Sequence, residues 1–169
     1  MHPEAESYLA LLDDLRGQVQ NLIADLPAEA LNWRPIDSSD EHATNSLAVL
    51  ATHIAGAERF WIGEVVGGLA PTRDRDTEFR TQVASDEELI RLLERTGRET
   101  RTLLSALGAS SLEEVRQARG RTIPLRWCIL HVIDHTALHL GHMQLTYQLW
   151  MGGQSGPSPR WFERLEERK

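Results

Sequence analysis

A chain of 169 residues with one cysteine and a formal charge of −7 excludes several functional classes at once. The acidic balance, with lysine confined to Lys169, argues against a nucleic-acid binder held by phosphate contacts. Cys128 alone allows no internal disulfide and no Cys-x-x-Cys metal site, and the length suits one domain, expected to span residues 1–169 around its own hydrophobic core.

The first stretch, "MHPEAESYLALLDDL", is acidic and amphipathic and lacks the basic and apolar regions of a signal peptide. No apolar run reaches the ~18 residues of a membrane span. A cytoplasmic protein without membrane contact is expected. Leu9, Leu12, Leu15, Val19, Leu22, Ile23 and Leu26 recur at helical spacing, which predicts a first helix from about Pro3 to Leu26, ended by Pro27. "PAEALNWRPIDSSDEHATNS" reads as a loop. Thr44, Asn45 or Ser46 then caps a second helix that runs to about Val66 and stops at Gly67 and Gly68.

"LAPTRDRDTEFRTQVAS" is a polar connector. Ser85 to Glu88, "SDEE", predicts a capping box that opens a third helix, rich in leucine as far as Gly108. "ASSLEEVRQARGRT" reads as a helical turn and a loop. Pro124 suits the first position of a fourth helix, which Gly152 and Gly153 end. The tail, "QSGPSPRWFERLEERK", is expected over the surface with a short last helix. Alternating β-branched runs and Asn-Gly hairpin signals are missing. The expectation is all-α: an antiparallel four-helix bundle with long crossover loops, the crossover order left open.

The fourth helix holds the chemistry. "HVIDHTALHLGHMQLTYQLW", residues 131–150, contains His131, His135, His139 and His142. At roughly 100° per residue these fall within about 80° of one another, on one face. Leu138, Leu145 and Leu149 lie on or beside that face, which predicts that it points inward. A single histidine on an apolar face is usually a hydrogen-bonded core residue. Four on one stripe favour ligation, and His135 and His139, four apart, can reach one ion from one helix. His131 and His142 stand about 16 Å apart along the axis, so one ion cannot use all four.

The third ligand must come from another helix, and His53 in "LATHIAGAERFW" is the best candidate. Gly56, on the same face, admits a close approach. His2, at the chain's start, and His42, in a polar loop, are poor candidates.

These segments resemble the DinB-like (DinB/YfiT-type) four-helix bundle proteins. The resemblance rests on "LNWRP" at 31–35, "NSLAVLATHIAGAERFW" at 45–61 and "HVIDHTALHLGHMQL" at 131–145, in the family's order and within a chain of the family's length. It implies that one divalent metal binds at His53, His135 and His139. The chain departs from the commoner pattern at His142, where glutamine is usual, and at Thr136, where an acidic residue often follows the first histidine. His131 and His142 are candidates for supporting the ligands or touching substrate. The resemblance further implies a homodimer and activity with a low-molecular-weight thiol, as in the family's bacillithiol- and mycothiol-dependent enzymes.

Three neutral imidazoles leave coordination positions open for water or substrate, as catalytic metal sites do. Nitrogen ligands favour zinc or nickel, with iron also suitable, over magnesium or calcium. The expected function is a metal-dependent enzyme of the thiol-transferase or hydrolase type acting on a small molecule. The alternative is a non-enzymatic metal-binding or stress-related dimeric bundle. No catalytic residue is assigned. Glu58 and Asp134 are nearby carboxylates, Asp134 the more solvated of the two. Arg121 and Arg126 are candidate contacts for an acidic thiol, with ordinary surface charge the better reading, and Cys128 reads as inert packing.

Overall fold

The computed structural model describes residues 1–36 and 44–154. His42 and the expected C-terminal helix lie outside them. Four long helical elements make the bundle: α1 (Pro3–Ile23), α3 (Leu47–Glu58) with its π-helical continuation (Arg59–Val66), α5 (Asp86–Ser105) and α7 (Leu125–Trp150). Three short helices punctuate the connections: α2 (Ala28–Asn32), α4 (Arg75–Glu78) and α6 (Ala109–Leu112).

Caps set several of the boundaries. His2, set aside as a ligand, accepts a hydrogen bond from the Glu4 amide and caps α1. Ser46 opens α3 by accepting from the Val49 amide at 3.2 Å. At α5 the expected capping box is only half formed. Glu88 reaches back to the Ala84 amide at 3.0 Å, but the Ser85 hydroxyl makes no capping bond. Gly152 and Gly153, both at positive φ, close α7.

α1 and α3 each pack against both α5 and α7. Leu9 and Leu12, early in α1, share a cluster with Leu125 and Cys128, early in α7, and with Ile62 and Leu104, late in their own elements. Val19 and Ile23 join Leu47, Leu50, Leu89 and Met143 in the other cluster. The order is therefore up–down–down–up: the connections from α1 to α3 and from α5 to α7 span the bundle's diagonals, and the one from α3 to α5 runs its length between parallel neighbours. That settles the order the sequence left open.

Three features depart from the expectations. The segment read as a loop after α6 forms a hairpin, β1 (Val115–Ala118) paired antiparallel with β2 (Arg121–Pro124). Its two-residue turn, Arg119-Gly120, has positive φ at both positions, 51° and 72°. That twist suits a tight hairpin, and Gly120 adopts it freely. The second helix changes to π geometry at Arg59, the kind of irregularity often found near functional sites.

The third departure concerns the leucines beside the histidine stripe. Leu138 and Leu145 are each 56% exposed and Leu149 47%. They face solvent, together with Trp127 and Leu130, on an apolar stripe about 100° wide. The buried face of α7 is instead Cys128, Ile129, Val132, Thr136, Leu140 and Met143. The histidines run along the border between the two. Leucine at helical spacing signals a face but not which neighbour covers it.

Candidate functional site

α3 and α7 run antiparallel, and this brings His53 opposite His135 and His139. One nitrogen from each of the three lies within 4.8 Å of the other two. His53 Nε2 and His135 Nε2 are 3.1 Å apart. In a tetrahedral site with metal–nitrogen bonds of about 2.0–2.1 Å, ligand nitrogens stand about 3.3 Å from one another, so His53 and His135 are close to that spacing and the His139 nitrogen lies within 4.8 Å of both.

Their environments differ. His53 is buried, and its Nδ1 meets Glu78 Oε2 at 2.8 Å. The carboxylate keeps the proton on Nδ1 and leaves the Nε2 lone pair facing His135. Glu78 is in turn gripped by Arg73, whose Nε donates to Oε1 at 2.7 Å and Nη2 to Oε2 at 2.9 Å. Burial alone raises the Glu78 carboxyl. The hydrogen bonds from Arg73 and His53 and the Arg73 charge outweigh it, holding the group below its ordinary value. It is a carboxylate at neutral pH.

His135 and His139 are half-buried. Burial, with the neighbouring imidazoles, pushes His135 down to about 3 and His139 down to about 4. Both are neutral at physiological pH, the form that ligates. His135 Nδ1 is buried without a hydrogen-bond partner. Among the described residues, no acceptor orients that ring in the way Glu78 orients His53.

Local sequence explains the assembly. Gly56 lies one turn after His53, and a Cβ there would sit 2.1 Å from Glu78 Oε1. The close approach read from Gly56 is therefore made by this carboxylate. Asp74 opens α4 by accepting from the Thr77 amide at 3.1 Å, and that short helix aims Glu78 inward. Phe79, next in the chain, packs on His53 with ring centroids 4.9 Å apart.

The other residues singled out from sequence have varied fates. His142 Nδ1 lies 3.3 Å from His139 Nδ1, on the exposed side of the group. His131 is further off, stacked on Trp127 at 4.7 Å and edge-on to Trp61. Glu58 faces away from the histidines, pairing with Arg16 at 2.6 Å and accepting from Thr100 at 2.6 Å. Asp134 and Arg121 are exposed. Arg126 is occupied by Glu4 and Glu113. Cys128 is fully buried, and burial raises its thiol, which makes it an inert packing residue.

Arg73 and Glu78 were missed because they sit in what reads as a featureless connector. Asp74 followed three residues later by Thr77 is a weak cap signal for α4, and it was the one available hint.

No curated protein matches the chain. Solved structures do match its fold. A conserved protein from Enterococcus faecalis superposes with a TM-score of 0.73 at 16% identity, over 87% of this chain and 96% of its own. A DinB-like protein from Bacillus cereus ATCC 10987 gives 0.69 at 17% identity, over 91% and 97%. A DinB-like protein from Bacillus subtilis gives 0.65 at 18%, over 90% and 96%. Residues 7–150 match the family model described as mycothiol-S-transferase. With an up–down–down–up helical bundle, three facing imidazoles and that match across most of its length, the chain belongs to the mycothiol-S-transferase family of DinB-like proteins.

Proposed function

We propose that this protein is a metal-dependent transferase of a low-molecular-weight thiol, working as a homodimer, with His53, His135 and His139 holding one divalent ion. The observation that carries the reading is the convergence of three imidazole nitrogens, two of them on partly exposed rings, beside the exposed His142. A purely structural site would be closed by a fourth protein ligand. Zinc or nickel suits three nitrogen donors, and iron is the third choice. The family description makes mycothiol the first thiol to test.

When bound, the ion supplies a positive charge that favours the thiolate over the thiol at neutral pH. The chain's own residues do the rest. Arg73 fixes Glu78, Glu78 fixes the tautomer and orientation of His53, and the low proton affinities of His135 and His139 keep their lone pairs free. In this reading His142, exposed and in contact with His139, takes the proton that leaves the thiol. The sulfur then attacks an electrophilic carbon of the second substrate. A carbon–sulfur bond forms and the leaving group departs with its electron pair.

The test uses protein purified without a histidine tag, reconstituted with zinc or nickel, and supplied with mycothiol and an alkyl or aryl halide. Thioether formation that disappears in His53→Ala is expected. Stoichiometric metal with no turnover for any thiol and electrophile pair would instead support the non-enzymatic role.

A further inference from the structure

Three side chains from one short stretch of connector touch His53: Arg73, Glu78 and Phe79. Apolar burial does not hold that stretch in place. α4 spans four residues, too few to persist as a helix alone, and the buried one among them is Glu78. Phe79, next to it, is only partly buried. Taking a carboxylate into the interior costs free energy, so the contact with His53 needs an anchor from elsewhere in the fold.

The front of the connector is tied by Glu64, whose Oε1 accepts from the Thr72 and Arg73 amides at 2.8 and 3.2 Å. Its far end is tied by the residues that close α2. Arg34 donates from Nη2 to the Phe79 carbonyl at 3.1 Å and from Nη1 to the Thr44 carbonyl at 2.9 Å. Phe79 ends α4 directly after Glu78, and Thr44 lies two residues before Ser46, the cap of the helix that carries His53. One planar guanidinium therefore sets the turn of Glu78 and the helix of His53 in a common frame. Arg34 forms no ion pair among the described residues, so its two arms are committed to backbone. Asn32 grips the chain further on, with Nδ2 donating to the Val83 carbonyl at 2.8 Å and Oδ1 accepting from the Val83 amide at 3.0 Å. Both residues belong to "LNWRP", which holds neither a histidine nor a carboxylate.

We propose that Arg34 is a positioning residue of the three-histidine site. By holding the Phe79 carbonyl it fixes Glu78 against His53 Nδ1, and so sets which nitrogen of His53 is free to ligate. Its effect on metal rests on the three-histidine reading above; its effect on the His53 proton does not.

Two measurements on the full chain test it: heteronuclear NMR of the histidine rings in metal-free protein at neutral pH, and zinc affinity by competition with a chromophoric chelator. In the parent, His53 should carry a slowly exchanging proton on Nδ1. Arg34→Met, with unchanged circular dichroism, should lose that slow exchange, show both tautomers, and bind zinc about tenfold more weakly. Arg34→Lys puts one point donor in place of the fork and should shift both readouts the same way by less, which keeps the test open where Arg34→Met does not fold. Arg80→Gln removes an exposed arginine from the same connector and should match the parent. A slowly exchanging Nδ1 proton that persists in Arg34→Met, or an equal change in Arg80→Gln, would overturn the proposal. Loss of that proton in Arg34→Met, with no zinc bound even by the parent, would support the role of Arg34 and sink the metal reading instead.

Discussion

Glu78 holds the buried His53 ring in place, and this makes a prediction at the scale of one side chain. Glu78→Gln keeps the shape but removes the charge that holds the proton on His53 Nδ1. Partners of this kind are worth about 10–100-fold in metal affinity. The variant should therefore bind zinc about 10–100-fold more weakly than the parent, as read by competition with a chromophoric chelator. Parent-like affinity would mean that Glu78 serves only Arg73. The histidines themselves were legible because i, i+4 spacing on one helix is a local signal. Glu78 was not, since it reaches His53 from 25 positions away out of a polar connector. Periodicity carries no information about such a contact.

The same residues fix the pH dependence of stability without metal. An unfolded chain takes up protons on histidine below about pH 6.5. Folded His135 and His139 resist until about 3 and about 4. Between pH 6.5 and 4 the unfolded state holds more protons, so stability rises with pH across that window and is lost on acidification. Urea denaturation of chelator-treated protein should give a lower midpoint at pH 5 than at pH 7. The dependence should flatten in the His135→Asn/His139→Asn double variant. An equal slope in that variant would assign the effect to other groups.

Among the elements, the buried Arg16–Glu58 pair ties α1 to α3, and Thr100 adds α5. Gly97 makes room, since a Cβ there would sit 2.7 Å from the Arg16 guanidinium. Removing Glu58 leaves the buried Arg16 only the partly exposed Asp13, at 2.7 Å, so the loss falls towards the lower end of the about 3–5 kcal/mol of a stranded charge. Glu58→Ala should lose that much in chemical denaturation, far more than Glu94→Ala, whose exposed pair with Arg98 spans 3.6 Å and is worth little. Element boundaries followed the sequence where caps and glycines set them, as at Ser46 and at Gly152-Gly153. They failed where tertiary contact decides. The hairpin lacks an Asn-Gly turn and long alternating strands, and its two short strands pair beneath a turn built on Arg119-Gly120. The shift to π geometry after Glu58 has no sequence signature at all.

For the whole molecule, the exposed stripe of Trp127, Leu130, Leu138, Leu145 and Leu149 is the largest misfit with a solitary bundle. Contiguous apolar surface of this kind marks an interaction face, and a two-fold pairing of α7 with a second copy would cover it. Sedimentation at micromolar concentration should give a dimer, and Leu138→Asp with Leu145→Asp should give a folded monomer. A monomeric parent would refute the pairing. The three-histidine group lies at the edge of this stripe, between the bundle's interior and its exposed face. Metal content per chain, measured on tag-free protein after zinc loading and desalting, tests the central claim most directly. The parent should carry one ion. His53→Ala, His135→Ala and His139→Ala should each lose it, while His131→Ala and His142→Ala keep most of it. Full occupancy in folded His53→Ala would contradict the assignment.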